Sequence, residues 1–126
     1  MSTSKLDQPD NYTGNHTLVK VRELSLDQLT HTLHLVMWYP GAPDHMPTYC
    51  GRKNTRRLVD AKRLLNHHTI PTIGHIARQP GWGAYNGHEL TLCPDCLSMA
   101  MCQAEMLGQR YRVKTTIDAM RKLPGR

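Results

Sequence analysis

The stretch that most constrains this chain is "TLCPDCLSMAMC", residues 91 to 102, read together with a lone cysteine forty residues earlier in "MPTYCGRK". Cys93 and Cys96 form a C-x-x-C pair, a spacing that sets two sulfurs on one metal ion in a tight turn. The pair opens a run with helical character, so backbone amides and the positive helix end face the thiolates. That is half of a tetrahedral zinc site. A chain of 126 residues with no Phe and two Trp builds only a small core and gains from such a staple. The start, "MSTSKLDQPDNYTGN", is polar and lacks the apolar core of a signal peptide. No run is as long as a membrane span. An intracellular, cytoplasmic setting is expected, where four cysteines favour a metal over disulfides.

The second half of the site is less clearly written. Cys50 is the natural third ligand, because Gly51 relaxes the turn that a ligating cysteine needs. Cys102 competes with it, although its setting among Leu97, Met101 and Met106 suits a small buried apolar residue better. For the fourth ligand the order is His34, then His45, then His88, while sequence distance alone slightly favours His45. His31 shares a stretch with His34, but an odd separation along a strand puts the two on opposite faces.

Hydrophobic patterning gives an α+β domain over residues 16–126, after a tail at 1–15. Strands are expected at 16–24 and 31–40, with a helical turn at 25–31 between them. In the second strand Leu33, Leu35 and Met37 face one way and His34, Val36 and Trp38 the other. Residues 54–68 read as a helix with a stripe of Leu58, Ala61, Leu64 and Leu65. Residues 69–87 are broken by Pro and Gly into a long loop, with one turn near 73–78. A short strand at 88–93 leads to a helix at 94–109, with Pro94 in its first turn and Gly108 near its end. A last helix spans 114–123, stopped by Pro124. The expected whole is a small zinc-stapled fold, ribbon- or knuckle-like, with a short antiparallel sheet and about three helices.

The segments "HLVMWYPGAPDHMPTYCGR" and "LTLCPDCL" resemble a pattern in small phage and actinobacterial zinc-binding proteins. There a strand with His-Leu leads to Cys-Gly-Arg and later to Thr-Cys-Pro-x-Cys-Leu. The matching residues are His34, Leu35, Cys50, Gly51, Arg52, Cys93, Pro94, Cys96 and Leu97, with Thr91 one place early because Leu92 intervenes. The resemblance covers about half the chain, and it implies that His34, Cys50, Cys93 and Cys96 bind zinc.

Charge speaks to partners. The net charge is +6, and it is concentrated. Residues 51–63 carry six basic and one acidic side chain, and residues 109–126 again six and one. Clustered cations of this kind bind phosphates or an acidic protein surface, and they also serve merely to solvate helix faces. Arg52, Lys53, Arg56, Arg57, Arg110, Arg112 and Lys114 are the candidate contacts. Trp82 and Tyr85 stack on bases in this reading, or else cap the core. The expected function is therefore a structural-zinc module that binds nucleic acid or regulates. A phage-type factor docking on a host enzyme is the alternative. Enzymatic readings are weaker. Three thiolates already donate much charge to the metal and leave a poor Lewis acid, whatever base Glu89 or Asp95 supplies. "NGHELTLCPDC" departs from the H-x-E deaminase signature because His88 and Glu89 are adjacent. A histidine-metal nuclease would draw on His45 or His68. A redox CPDC pair lacks the βαβ pattern of a thioredoxin-like site.

Overall fold

A computed structural model describes residues 15–51 and 57–121 of the chain. Its centre is a four-stranded sheet of β1 (Glu23–Asp27), β2 (Thr32–Leu35), β3 (Arg57–Asp60) and the very short β6 (Thr91–Leu92). The order is β3-β1-β2-β6. β1 pairs antiparallel with β2 and β3, whereas β6 runs parallel to β2. A separate hairpin joins β4 (Ala84–Tyr85) to β5 (His88–Glu89). The helices are α1 (Ala61–Leu64), α2 (Ile73–Ala77) and the long α3 (Pro94–Arg121). The α+β class and the short, mostly antiparallel sheet are those expected from the sequence.

Several boundaries differ, each for a local reason. Residues 25–27 belong to β1 and form no helical turn. The Asp27 carboxylate accepts from the amides of Leu29 and Thr30, at 2.9 and 3.3 Å, and so turns the chain at 28–31. His31 closes that turn with φ 57° and stands outside β2. In the segment expected as a helix at 54–68, residues 57–60 are instead a strand. Leu58 and Val59 pair with Ser25 and Leu24, so the free edge of β1 outweighs their helical spacing. Only α1 survives of that helix, capped by the Asp60 side chain, which accepts from the Arg63 amide at 3.2 Å. The turn at 73–78 is α2, with Thr72 and His75 forming a capping box.

Near the C-terminus the two expected helices are one helix of 28 residues. Gly108 lies in its middle, not at its end. Asn15 explains the glycine: its side chain sits where a Cβ at 108 would project. The Asn15 amide donates to both Glu105 carboxylate oxygens, at 3.0 and 2.9 Å, and Arg112 donates to Asn15 Oδ1 at 3.1 Å. The start of the described chain is thus tied to the middle of α3.

The core gathers Leu24, Leu26, Leu33 and Leu35 of the sheet, Val19 and Val21 before it, Ile73 and Ile76 of α2, and Ala100 and Ala104 of α3. The small residues on α3 let the helix lie close against this cluster. Beyond Gly108 the helix leaves the core behind, and Tyr111, Val113, Ile117 and Met120 are all exposed.

Candidate metal centre

Register builds the centre. The parallel pairing sets Leu33 of β2 against Leu92 of β6, so the next residues, His34 and Cys93, emerge side by side. The Cys93 amide donates to Leu33 O at 2.8 Å and fixes that alignment. The chain then enters α3, and Cys96 sits one turn further on. Its amide donates to Cys93 Sγ at 3.5 Å, which is the amide-to-sulfur contact expected of a C-x-x-C helix start.

Cys50 arrives along the same edge of β2 that β6 uses, two residues further along the strand. Val36 bridges Thr48, Met37 N donates to Pro47 O, and Tyr49 N donates to Leu35 O at 2.9 Å. The strand that carries His34 thus also pins the loop that carries Cys50. A tight turn follows, with Gly51 N donating to Thr48 O at 3.0 Å and Gly51 in the left-handed region at φ 79°. Among the described residues, none would collide with a side chain there. The glycine is required by the backbone conformation alone.

His34, Cys50, Cys93 and Cys96 thus converge, each with one ligand atom within 4.8 Å of the others. His34 Nδ1 lies 3.4 Å from Cys50 Sγ and 3.7 Å from Cys96 Sγ. A tetrahedral Zn²⁺ with ordinary Zn–S and Zn–N bonds spaces its nitrogen and sulfur ligands about 3.5 Å apart. The donor set therefore fits the ion in composition and in size. A disulfide does not compete, since none of the four cysteines is disulfide-bonded. His34, Cys93 and Cys96 are buried and Cys50 half-buried, so protein surrounds the site on most sides. Burial pushes the Cys96 thiol up to about 12. A bound cation has to displace that proton and supply the charge that makes the thiolate tolerable in a dry site.

Two supporting residues were not singled out by the sequence. Tyr49, beside Cys50, is buried and donates through its hydroxyl to Gln103 Oε1 at 2.7 Å, tying the Cys50 loop to α3. Burial, with Cys96 adding to it, pushes this phenol up to about 12. Thr48 is buried with its hydroxyl 3.5 Å from Cys50 Sγ. Position next to a ligand, and a glutamine seven residues after Cys96, were the only signals available for them.

The competing ligands lie elsewhere. His45 is exposed in the loop before Cys50, with φ 64°. His88 stacks on His31, ring centres 4.1 Å apart. Cys102 is exposed on α3, so it is neither a ligand nor the core residue its neighbours suggested. Glu89 and Asp95 are exposed and stand outside the cluster.

The described basic residues do not form one patch. Arg52, Lys53 and Arg56 lie outside the described residues. Arg57 sits on β3 with its guanidinium 5.8 Å from the centre of the Tyr85 ring. Trp82 and Tyr85 both pack against the core, and the Tyr85 hydroxyl accepts from Gln28 at 2.9 Å, so core capping describes both aromatics. Arg110 and Lys114 share one groove on α3, while Arg112 turns to Asn15. No helix among the described residues is long and apolar enough to cross a membrane.

The chain matches no protein-family model, no curated protein and no solved structure.

Proposed function

We propose that this protein is a non-catalytic binding module, regulatory in role, whose single Zn²⁺ is structural. One observation carries the reading: four protein donors already close around one point, three of them sulfurs. A catalytic zinc keeps a position open for water and relies on a carboxylate or similar base at hand. Here the fourth position belongs to His34, and among the described residues no carboxylate joins the cluster. Among divalent ions, a site of three thiolates and one imidazole suits zinc best.

The ion joins segments up to 62 residues apart in the sequence. It locks the β2 strand, the Cys50 turn and the start of α3 into one unit, and so sets the direction in which α3 leaves the domain. The surface it presents is basic and partly apolar. Arg110 and Lys114 stand beside exposed Met106, Val113 and Ile117. That mixture supports an acidic protein surface as the partner, in keeping with a phage-type factor docking on a host enzyme in the cytoplasm. The net charge of +6 supports a second reading, nucleic acid.

One experiment separates them. The zinc-loaded protein is used to capture partners from a lysate with and without nuclease, and is titrated with duplex DNA and single-stranded RNA at 20 and 200 mM salt. A protein partner survives nuclease. Nucleic-acid binding disappears with nuclease and weakens steeply with salt. Capture of neither kind refutes the binding-module reading.

A further inference from the structure

α3 carries a second apolar face that the core does not use. Met99, Met106, Val113 and Met120 recur every seven residues, and Ile117 falls between the last two. All five are exposed, between 44 and 59%. At 100° per residue this stripe lies roughly 125° around the helix from the face that buries Cys96, Ala100 and Ala104. It is therefore not a ragged edge of the core contact. A heptad seam of this kind is what one helix presents to another along a left-handed supercoil. From Met99 to Met120 it runs about 32 Å.

Charge decides what covers it. Arg110 falls in the seam between Met106 and Val113, in line with Ile117, Lys114 flanks it, and Asp118 lies beyond Lys114. Pairing with a second copy of this chain is poor in either direction. A parallel pair stacks Arg110 on its own equivalent at the seam, and an antiparallel pair lays the Arg110–Lys114 rim against itself. The surplus of positive charge over residues 109–126 adds to the repulsion. We propose that the outer face of α3 docks an acidic amphipathic helix of a protein partner, its apolar residues on Met106, Val113 and Ile117 and its carboxylates on Arg110 and Lys114. Steric complementarity comes from the flexible methionines, and orientation from the two cations. The proposal rests on the binding-module reading and narrows it to one face and one partner chemistry.

The test uses the full zinc-loaded chain and two synthetic helical peptides of three heptads, with leucine along the seam and either glutamate or lysine in the flanking positions. The glutamate peptide is expected to bind at least tenfold more tightly than the lysine peptide and to shift the amide resonances of residues 106–120. V113Q/I117Q, which changes no charge, is expected to weaken it at least tenfold while leaving the circular dichroism spectrum unaltered. R110E/K114E is expected to reverse the peptide preference. Equal binding of the two peptides, binding that survives V113Q/I117Q, or no binding of either peptide overturns the proposal. So does a dimer of the chain, seen by sedimentation, that I117E dissolves. If nuclease-resistant capture persists in V113Q/I117Q, the binding-module reading stands and this face is the wrong one.

Discussion

At the scale of single residues, the site divides the histidines and cysteines into ligands and bystanders. C96S and H34A are expected to lose stoichiometric zinc, because each removes a donor from a closed four-ligand set. H45A, H88A and C102S are expected to retain one zinc per chain, since His45 and Cys102 are exposed and His88 stacks on His31. Metal analysis of the five purified variants checks this, and zinc loss on H45A or C102S contradicts the ligand assignment. Sequence spacing alone slightly favoured His45, five residues from Cys50. The chain resolves the choice through pairing that spacing cannot express. His34 follows a residue paired to β6, so register delivers it to Cys93. His45 sits on the far side of a loop whose direction is set by Thr48 and Val36.

At the scale of elements, caps and close approaches set the boundaries. The His75 imidazole accepts from the Thr72 amide at 3.1 Å, which requires an unprotonated Nδ1. Its pKa is lowered from 6.5 first by burial, then by His67, whose ring centre is 4.6 Å away, and by Arg78. A lowered pKa means the cap contributes fully above pH 6.5 and is lost as pH falls through the lower value in the fold. An NMR titration is expected to give His75 a midpoint below 6.5 and loss of amide protection in α2 on acidification, and a midpoint above 6.5 contradicts it. Gly108 offers a second check. G108A gains helix propensity of about 1 kcal/mol but displaces the Asn15 side chain. It is expected to be neutral or destabilising in the native background and stabilising by about 1 kcal/mol in N15G, as measured by urea unfolding. Equal effects in both backgrounds contradict the contact. The sequence read Gly108 as a helix end because glycine usually is one. Its actual reason lies 93 residues away at Asn15. The strand at Arg57–Asp60 was hidden in the same way, since Leu58 keeps helical spacing with Ala61 and Leu65 and only the edge of β1 makes it a strand. By contrast, the single turn at 73–78 was legible, because the breakers Pro71 and Pro80 confine it locally.

At the scale of the whole molecule, the proposed ion stands in for a larger core. Structural zinc sites contribute on the order of 10 kcal/mol, comparable to the entire stability of an ordinary domain. Chelation is therefore expected to abolish cooperative thermal unfolding and collapse the native dispersion of the amide spectrum, with recovery on adding zinc. A metal-free chain that keeps its native spectrum and melting transition contradicts a stapling role. The cysteine cluster made this much of the architecture readable in advance, because ligand chemistry is written in residue types and spacing. The single long α3 was not readable, because its outer half is determined by what it does not touch.

The most direct measurement is zinc K-edge X-ray absorption on the purified, zinc-loaded protein. One zinc per chain is expected, with three sulfurs at about 2.3 Å and one nitrogen at about 2.0 Å. A shell of nitrogen and oxygen only, a fourth sulfur, or an open position filled by water contradicts a closed site made of His34, Cys50, Cys93 and Cys96.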